Sequence, residues 1–182
     1  MVEGRARGTT PELASRLKSL RLLVFDVDGT LTDGGIVLDG GDGEWKRFDV
    51  RDGAGIKLAQ AAGLEVAFLS GRSAPATARR ARELGVARVA QGACQKGEAF
   101  AALLAGAGVA AEEAAYMGDD LLDLPALRRA GAAACPADAH PAVRAEVDYV
   151  CTDPGGRGAA REWIDLVLTA QGKMDGLLRA YP

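Results

Sequence analysis

The sequence predicts an α/β fold built on a doubly wound, Rossmann-like parallel sheet. Three observations predict it. Short apolar runs without polar alternation recur along the chain, as strands buried on both faces require. Segments of helical character separate most of those runs, which is the pattern of βαβ units. The chain has 182 residues, of which 48% are hydrophobic and 26% charged, a length and composition that suit one globular domain with a real core.

Residues 1–10 read as a loose tail. Pro11 to Leu20 is a short helix, with Thr10 as its N-cap and Pro11 at the first helical position. Leu22-Leu23-Val24-Phe25 is the first core strand. Further strands are expected at Glu65 to Leu69, Ala87 to Ala90, Ala114 to Met117, Gly131 to Cys135 and Asp148 to Cys151. Helices are expected at Asp52 to Ala62, Pro75 to Leu84, Lys96 to Ala107, Leu121 to Ala130 and Gly158 to Ala170. One segment breaks the alternation. Between Gly34 and Val50, two short β runs flank Asp39-Gly40-Gly41-Asp42-Gly43, so residues 34–50 read as a β-hairpin inserted directly after the first strand and standing above its C-terminal end. The expected organisation is an N-terminal tail and short helix over 1–20, one domain over 21–170, and a C-terminal tail over 171–182.

Lys and Arg total 22 against 25 Asp and Glu, a net charge of -3. That argues against a nucleic-acid partner, which would call for a clustered basic excess. The longest uncharged stretch, Ala99 to Ala111, is too short to span a bilayer, and the first 21 residues lack the apolar core of a signal peptide. The three cysteines, Cys94, Cys135 and Cys151, include no C-x-x-C pair and read as buried packing residues in a reducing compartment. The expectation is a soluble cytoplasmic protein without a membrane partner. The single histidine, His140, precedes Pro141 and reads as structural. Trp45 and Trp163 read as core or interface anchors.

In open α/β sheets the ligand crevice lies beyond the carboxyl ends of the strands. Acidic residues gather there in this chain. The first strand runs into Asp26-Val27-Asp28-Gly29-Thr30, and the strand at 114–117 runs into Gly118-Asp119-Asp120, with Asp123 one turn on. Carboxylates at close range resist joint ionisation, and a hard divalent cation such as Mg²⁺, which takes oxygen ligands, relieves this. Ser70-Gly71-Arg72 follows the second core strand and offers a hydroxyl and backbone amides to a phosphoryl oxygen. Lys96 opens a helix, where its ammonium can neutralise phosphate.

Taken together, D-V-D-G-T at 26–30, L-S-G-R at 69–72, Lys96 and G-D-D-L-L-D at 118–123 resemble the motifs of the haloacid dehalogenase superfamily, in the same order. A narrower resemblance rests on the hairpin followed by F-D-V-R-D-G-A-G-I-K (48–57), A-D-A-H-P (137–141), P-G-G-R-G-A-A-R-E (154–162) and A-Q-G-K (170–173). These segments are similar to the 3-deoxy-D-manno-octulosonate 8-phosphate phosphatases of lipopolysaccharide synthesis. Members of that family lack a large cap domain and are usually homotetramers in which the hairpins help assembly and neighbouring subunits close the site.

The resemblance implies an aspartyl-phosphate mechanism on a sugar-acid phosphate. Asp26 would be the nucleophile. Asp28 would protonate the leaving oxygen and then activate water. Ser70 and Lys96 would hold phosphoryl oxygens. Mg²⁺ would bind the Asp26 carboxylate, the Asp28 backbone carbonyl and Asp119, with Asp120 and Asp123 as supports. Substrate contacts are implied for Asp28, for Asp49, Val50, Arg51, Asp52 and Gly53, and for Lys57, Arg72, Arg80 and Lys96. Lys57 departs from the arginine the family pattern puts there, and Arg157 could reach a neighbour's site or cap a helix. Two rivals have the same acidic cluster in common. One is a phosphatase of 2-keto-3-deoxynononate 9-phosphate or N-acylneuraminate 9-phosphate. The other is a phospho-aspartate signalling module, which would carry its aspartate on a later strand. A regulatory protein that only binds sugar phosphates is disfavoured by the complete motif set.

Overall fold

The computed structural model describes residues 9–41 and 43–179. Its centre is a six-stranded parallel sheet of β1 (Leu22–Phe25), β4 (Glu65–Leu69), β5 (Arg88–Ala90), β6 (Ala114–Met117), β7 (Ala132–Cys135) and β8 (Tyr149–Val150). The spatial order is β5-β4-β1-β6-β7-β8. The chain winds outward from β1 through β4 to β5, returns to β6 on the other side of β1, and winds outward again. The winding therefore reverses at β1 and β6, where a ligand crevice is expected. Register is tight there: Phe25 lies opposite both Phe68 and Met117.

Alternation along β1 separates two cores. Leu23 and Phe25 face α1 (Pro11–Lys18), α2 (Val50–Ala61), α3 (Pro75–Leu84) and α7 (Ala159–Ala170), while Leu22 and Val24 face α4 (Lys96–Ala107), α5 (Leu124–Leu127) and α6 (Pro141–Glu146). With helices on both faces, every β1 residue is buried, which is why this strand reads as a continuous apolar run. Trp163 is buried and stacks on Tyr149, with ring centroids 5.8 Å apart. Trp45 is exposed on the hairpin.

The inserted hairpin is present as β2 (Val37–Leu38) and β3 (Glu44–Trp45), antiparallel with Val37 opposite Trp45. Asp42 of its turn, like residues 1–8 of the expected tail and residues 180–182, lies outside the described residues. No helix among the described residues is long and apolar enough to cross a membrane.

Several expectations need correction. The helix expected over 121–130 is a 3₁₀ turn, Leu121–Asp123, followed by the single-turn α5. Pro125 sits in the first turn of α5, and the Asp123 carboxylate accepts the Asp119 and Asp120 amides, so the chain is held tighter than an α-helix before that helix starts. α2 begins two residues early, because Asp49 caps it by accepting the Arg51 amide at 2.7 Å. Two short helices fall where none was expected, α6 and α8 (Met174–Leu178). α6 is started by His140, whose Nδ1 accepts the Ala142 amide, and by Pro141. Cys94 is exposed, against the reading of all three cysteines as buried; Cys135 and Cys151 are buried.

Asp52 shows how the two ends of the domain are tied. Gly158, the residue before α7, has no side chain to cap that helix, and the buried Asp52 carboxylate accepts the Gly158 and Arg161 amides instead, at 3.3 and 2.9 Å. Burial pushes Asp52 up to about 6, against these two amides. Its folded value then exceeds its unfolded value of about 3.9. Such an acid contributes stability that is present below the unfolded value and lost as pH rises through about 6. Asp52→Asn cancels this dependence. Thermal melts of both proteins from pH 4 to 7 should show the wild type losing ground to the variant as pH rises.

Candidate active site

The site is assembled at the C-terminal ends of β1, β4 and β6. Asp26 directly follows β1, and its amide donates to the Met117 carbonyl at 2.9 Å, so the β1–β6 ladder extends up to the carboxylate. Lys96, the first residue of α4, comes in from the other face of the sheet. Its buried ammonium donates to Asp26 Oδ1 and to Asp123 Oδ1, both at 2.6 Å. Asp123 is fully buried and saturated. Lys96 and the Tyr116 hydroxyl (2.6 Å) share one oxygen, and the Asp119 and Asp120 amides (3.2 and 3.1 Å) share the other. Asp119 accepts from the Thr30 hydroxyl at 3.2 Å. Its carbonyl accepts the His140 amide at 2.8 Å, so β6 and the start of α6 both hold it.

The electrostatics of this cluster are unbalanced. One oxygen from each of Asp26, Asp119 and Asp123 lies within 4.8 Å of the others. Burial, then the Asp123 charge, pushes Asp26 well above the usual carboxylate range despite Lys96. Burial, then Asp123, pushes Asp119 up to about 6. For Lys96, burial opposes the charge, but Asp26 and Asp123 outweigh it and hold the ammonium protonated. Three carboxylates against one ammonium leave an excess of negative charge in a low-dielectric site. All the free donors are oxygens, so the residues fit a hard divalent cation such as Mg²⁺. Asp26 and Asp119 have lone pairs to give it. Asp123 does not, because its hydrogen bonds are already committed, and it serves to place Lys96 and the Asp119 backbone.

Gly29 fixes the spacing between the two halves of the cluster. Its φ is +92°, and a Cβ built there would stand 2.2 Å from Asp119 Oδ2. Gly29→Ala must therefore both strain the backbone and displace Asp119. The expected outcome is a roughly 10- to 100-fold rise in the Mg²⁺ concentration needed for half-maximal phosphate release, read by titrating the metal.

The Asp28 side chain reaches the hairpin and the loop after β4. Its Oδ1 pairs with the Lys46 ammonium and its Oδ2 accepts from the Ser70 hydroxyl at 3.2 Å. Ser70 in turn accepts the Arg72 amide at 3.1 Å. The sequence reading assigned no part to Lys46, Glu44 or Tyr116. Glu44 opens β3 and Lys46 follows directly after it, with the exposed Trp45 between them, so period-2 alternation was the available signal. Tyr116 carries no such signal, since it sits inside an apolar strand.

The residues expected to contact substrate form a second group. Arg80 donates to the Asp49 carbonyl at 3.2 Å and stacks over Phe48 at 5.7 Å. A Cβ on Gly53 would stand 2.2 Å from the Arg80 guanidinium. Arg51 is exposed and pairs with Asp49 and with the Arg157 carbonyl. Arg157 lies in the glycine-rich turn, where Gly156 donates to the Thr30 carbonyl at 2.9 Å, so this turn bridges the first turn of α2 to the loop after β1. Arg72 pairs with Glu44. Val50 is exposed, and the Asp52 carboxylate faces α7. The Lys57 ammonium lies beside Gly85, at the C-terminal end of α3 and remote from the carboxylates at the other end of the sheet.

Comparison with known proteins gives the family. The family profile of haloacid dehalogenase-like hydrolases matches residues 43–131. The 3-deoxy-D-manno-octulosonate 8-phosphate phosphatase of Salmonella typhimurium is 43% identical over 166 residues, covering 91% of this chain and 88% of that protein. The crystal structure of the phosphatase of the same name from Moraxella catarrhalis, in complex with magnesium, phosphate and KDO, superposes with a TM-score of 0.91 at 37% identity. It covers 94% of this chain and 98% of its own. The cobalt-bound Haemophilus influenzae phosphatase superposes with a TM-score of 0.85 at 42% identity, covering 90% and 99%. The chain belongs to the 3-deoxy-D-manno-octulosonate 8-phosphate phosphatase family of the haloacid dehalogenase-like hydrolases.

Proposed function

We propose that this chain is a Mg²⁺-dependent phosphomonoesterase that hydrolyses 3-deoxy-D-manno-octulosonate 8-phosphate to the free sugar acid and phosphate, in lipopolysaccharide synthesis. The observation that carries the reading is the buried ammonium of Lys96 bonded to both Asp26 and Asp123, with Asp119 beside them and Asp28 two residues after Asp26. Asp26 Oδ attacks phosphorus and forms an aspartyl-phosphate as the ester P–O bond breaks. The leaving oxygen takes a proton from Asp28. Water then attacks the aspartyl-phosphate, gives its proton to Asp28, and the P–O bond to Asp26 breaks. Lys96 holds a phosphoryl oxygen during both steps, and the Ser70 hydroxyl, which donates to Asp28 in the free protein, turns to a second one when the ester binds. Asp26, the Asp28 carbonyl and Asp119 would hold the ion, which when bound would supply charge neutralisation between a carboxylate and a phosphate dianion.

The rest of the substrate falls to Asp49, Val50, Arg51, Gly53, Arg72 and Arg80; Lys57, whose ammonium lies at the far end of α3, and Asp52, whose carboxylate caps α7, drop out of the expected contacts. Arg80 and Arg72, both standing near the first turn of α2 or the hairpin, offer guanidinium forks suited to a carboxylate. The phosphatase domain spans 21–170, with the hairpin at 34–50 inserted and 171–182 as a tail. It acts in the cytoplasm as a homotetramer. Ile36, Val37, Leu38 and Trp45 are at least half exposed on the hairpin, which supports assembly through that element. Neither a nucleic acid nor a membrane is a partner.

A phosphate-release assay on purified protein, with and without Mg²⁺, tests this. Turnover of the eight-carbon ester well above that of N-acylneuraminate 9-phosphate, and only with the metal, is expected. Preference for the nine-carbon ester would overturn the substrate assignment.

A further inference from the structure

Resting on that reading, the geometry points to Lys46 of the hairpin as a positioning residue for Asp28. Asp28 has to present one oxygen first to a leaving group and then to water. Nothing in the β1 loop itself fixes its carboxylate. It is fixed by two donors from separate segments: the Lys46 ammonium on Oδ1 and the Ser70 hydroxyl on Oδ2. The Lys46 side chain is 3% exposed although the hairpin around it is mostly open to solvent. A lysine buried to that degree is held by partners.

Those partners form a closed ring. Glu44 Oε1 lies 3.0 Å from the Lys46 ammonium, and Glu44 Oε2 pairs with the Arg72 guanidinium. The Arg72 amide donates to Ser70 Oγ, and Ser70 returns to Asp28. Two cations and two carboxylates balance within this ring, which ties the hairpin to the loop after β4 through the Asp28 side chain. Removing Lys46 leaves Asp28 with the Ser70 hydroxyl alone and free to turn. Because Lys46 touches Asp28 and not the phosphate end held by Lys96, its loss should fall on proton transfer and spare substrate binding.

Lys46→Met keeps the stem and removes the ammonium, Lys46→Arg keeps the charge, and Glu44→Gln loosens Lys46 without touching Asp28. On the eight-carbon ester, Lys46→Met is expected to lower kcat about 100-fold, the low end of what general acid–base catalysis supplies, with KM within about two-fold. Lys46→Arg should recover most of that loss, and Glu44→Gln should fall between. p-Nitrophenyl phosphate, whose leaving group departs without a proton, separates the steps. With Lys46→Met the burst of nitrophenolate should keep its wild-type rate while steady turnover falls, because only the water step then depends on Asp28.

A loss confined to KM, unchanged kcat, or a burst slowed as much as turnover would each overturn the role. Should the eight-carbon ester not be a substrate, the proposed function fails while the aryl-ester kinetics still decide on Lys46. Equal melting temperatures of the wild type and Glu44→Gln would show that a kcat loss in that variant is not unfolding.

Discussion

Asp26→Asn is expected to abolish phosphate release, lowering kcat by at least about 10⁴-fold, the scale on which covalent enzymes suffer from loss of the nucleophile. An amide oxygen is too weak a nucleophile to displace a sugar alkoxide from phosphorus. The fold should survive. Asp26 is buried, and burial together with Asp123 already disfavours its charge, so the neutral side chain removes an unfavourable carboxylate. Lys96 keeps Asp123 at 2.6 Å as its counter-charge. The melting temperature of the variant should therefore equal or exceed that of the wild type. Incubation with substrate followed by mass spectrometry should find no phosphoryl adduct on the variant. Release of phosphate at a near-normal rate would remove Asp26 from the mechanism.

What the sequence revealed of this arrangement, and what it hid, follows from how local each signal is. A strand buried on both faces needs no polar alternation, so Leu22–Phe25, Glu65–Leu69 and Ala114–Met117 stand out as apolar runs, and the sheet follows from them. The carboxylates were legible for a related reason: a doubly wound sheet places the residues after β1 and β6 at one edge, so D-V-D-G-T and G-D-D converge without any knowledge of side-chain directions. Asp52 is the contrary case. It lies beside residues expected to meet substrate, yet its carboxylate caps α7, 106 and 109 residues further on, and no local pattern encodes a partner that distant. Lys46 and Tyr116 were hidden likewise, one in a hairpin read for its β runs and turn but not for its charges, and the other within an apolar strand. The short helices α6 and α8, of six and five residues, are too brief for a periodicity to show.

Asp123→Ala should produce the largest loss of stability of any single change at the site, about 3–5 kcal/mol, as for breaking a buried ion pair from one side. Four donors converge on this carboxylate, and alanine leaves the Tyr116 hydroxyl, two backbone amides and one Lys96 bond without a partner. A counter-effect exists, since removing Asp123 also relieves its repulsion of Asp26 and Asp119. That relief matters only while the excess negative charge is unmatched. With Mg²⁺ present the repulsion is already offset, and the loss should be felt in full. The variant should thus melt roughly 10 °C below the wild type with Mg²⁺ and lie closer to it after chelation, taking about 2–4 °C per kcal/mol for a domain of this size. Tyr116→Phe removes a single bond to the same carboxylate and should cost only about 1 kcal/mol. Melting curves of the three proteins with and without the metal check this. An Asp123→Ala variant no less stable than Tyr116→Phe, under both conditions, would show that Asp123 does not organise the cluster.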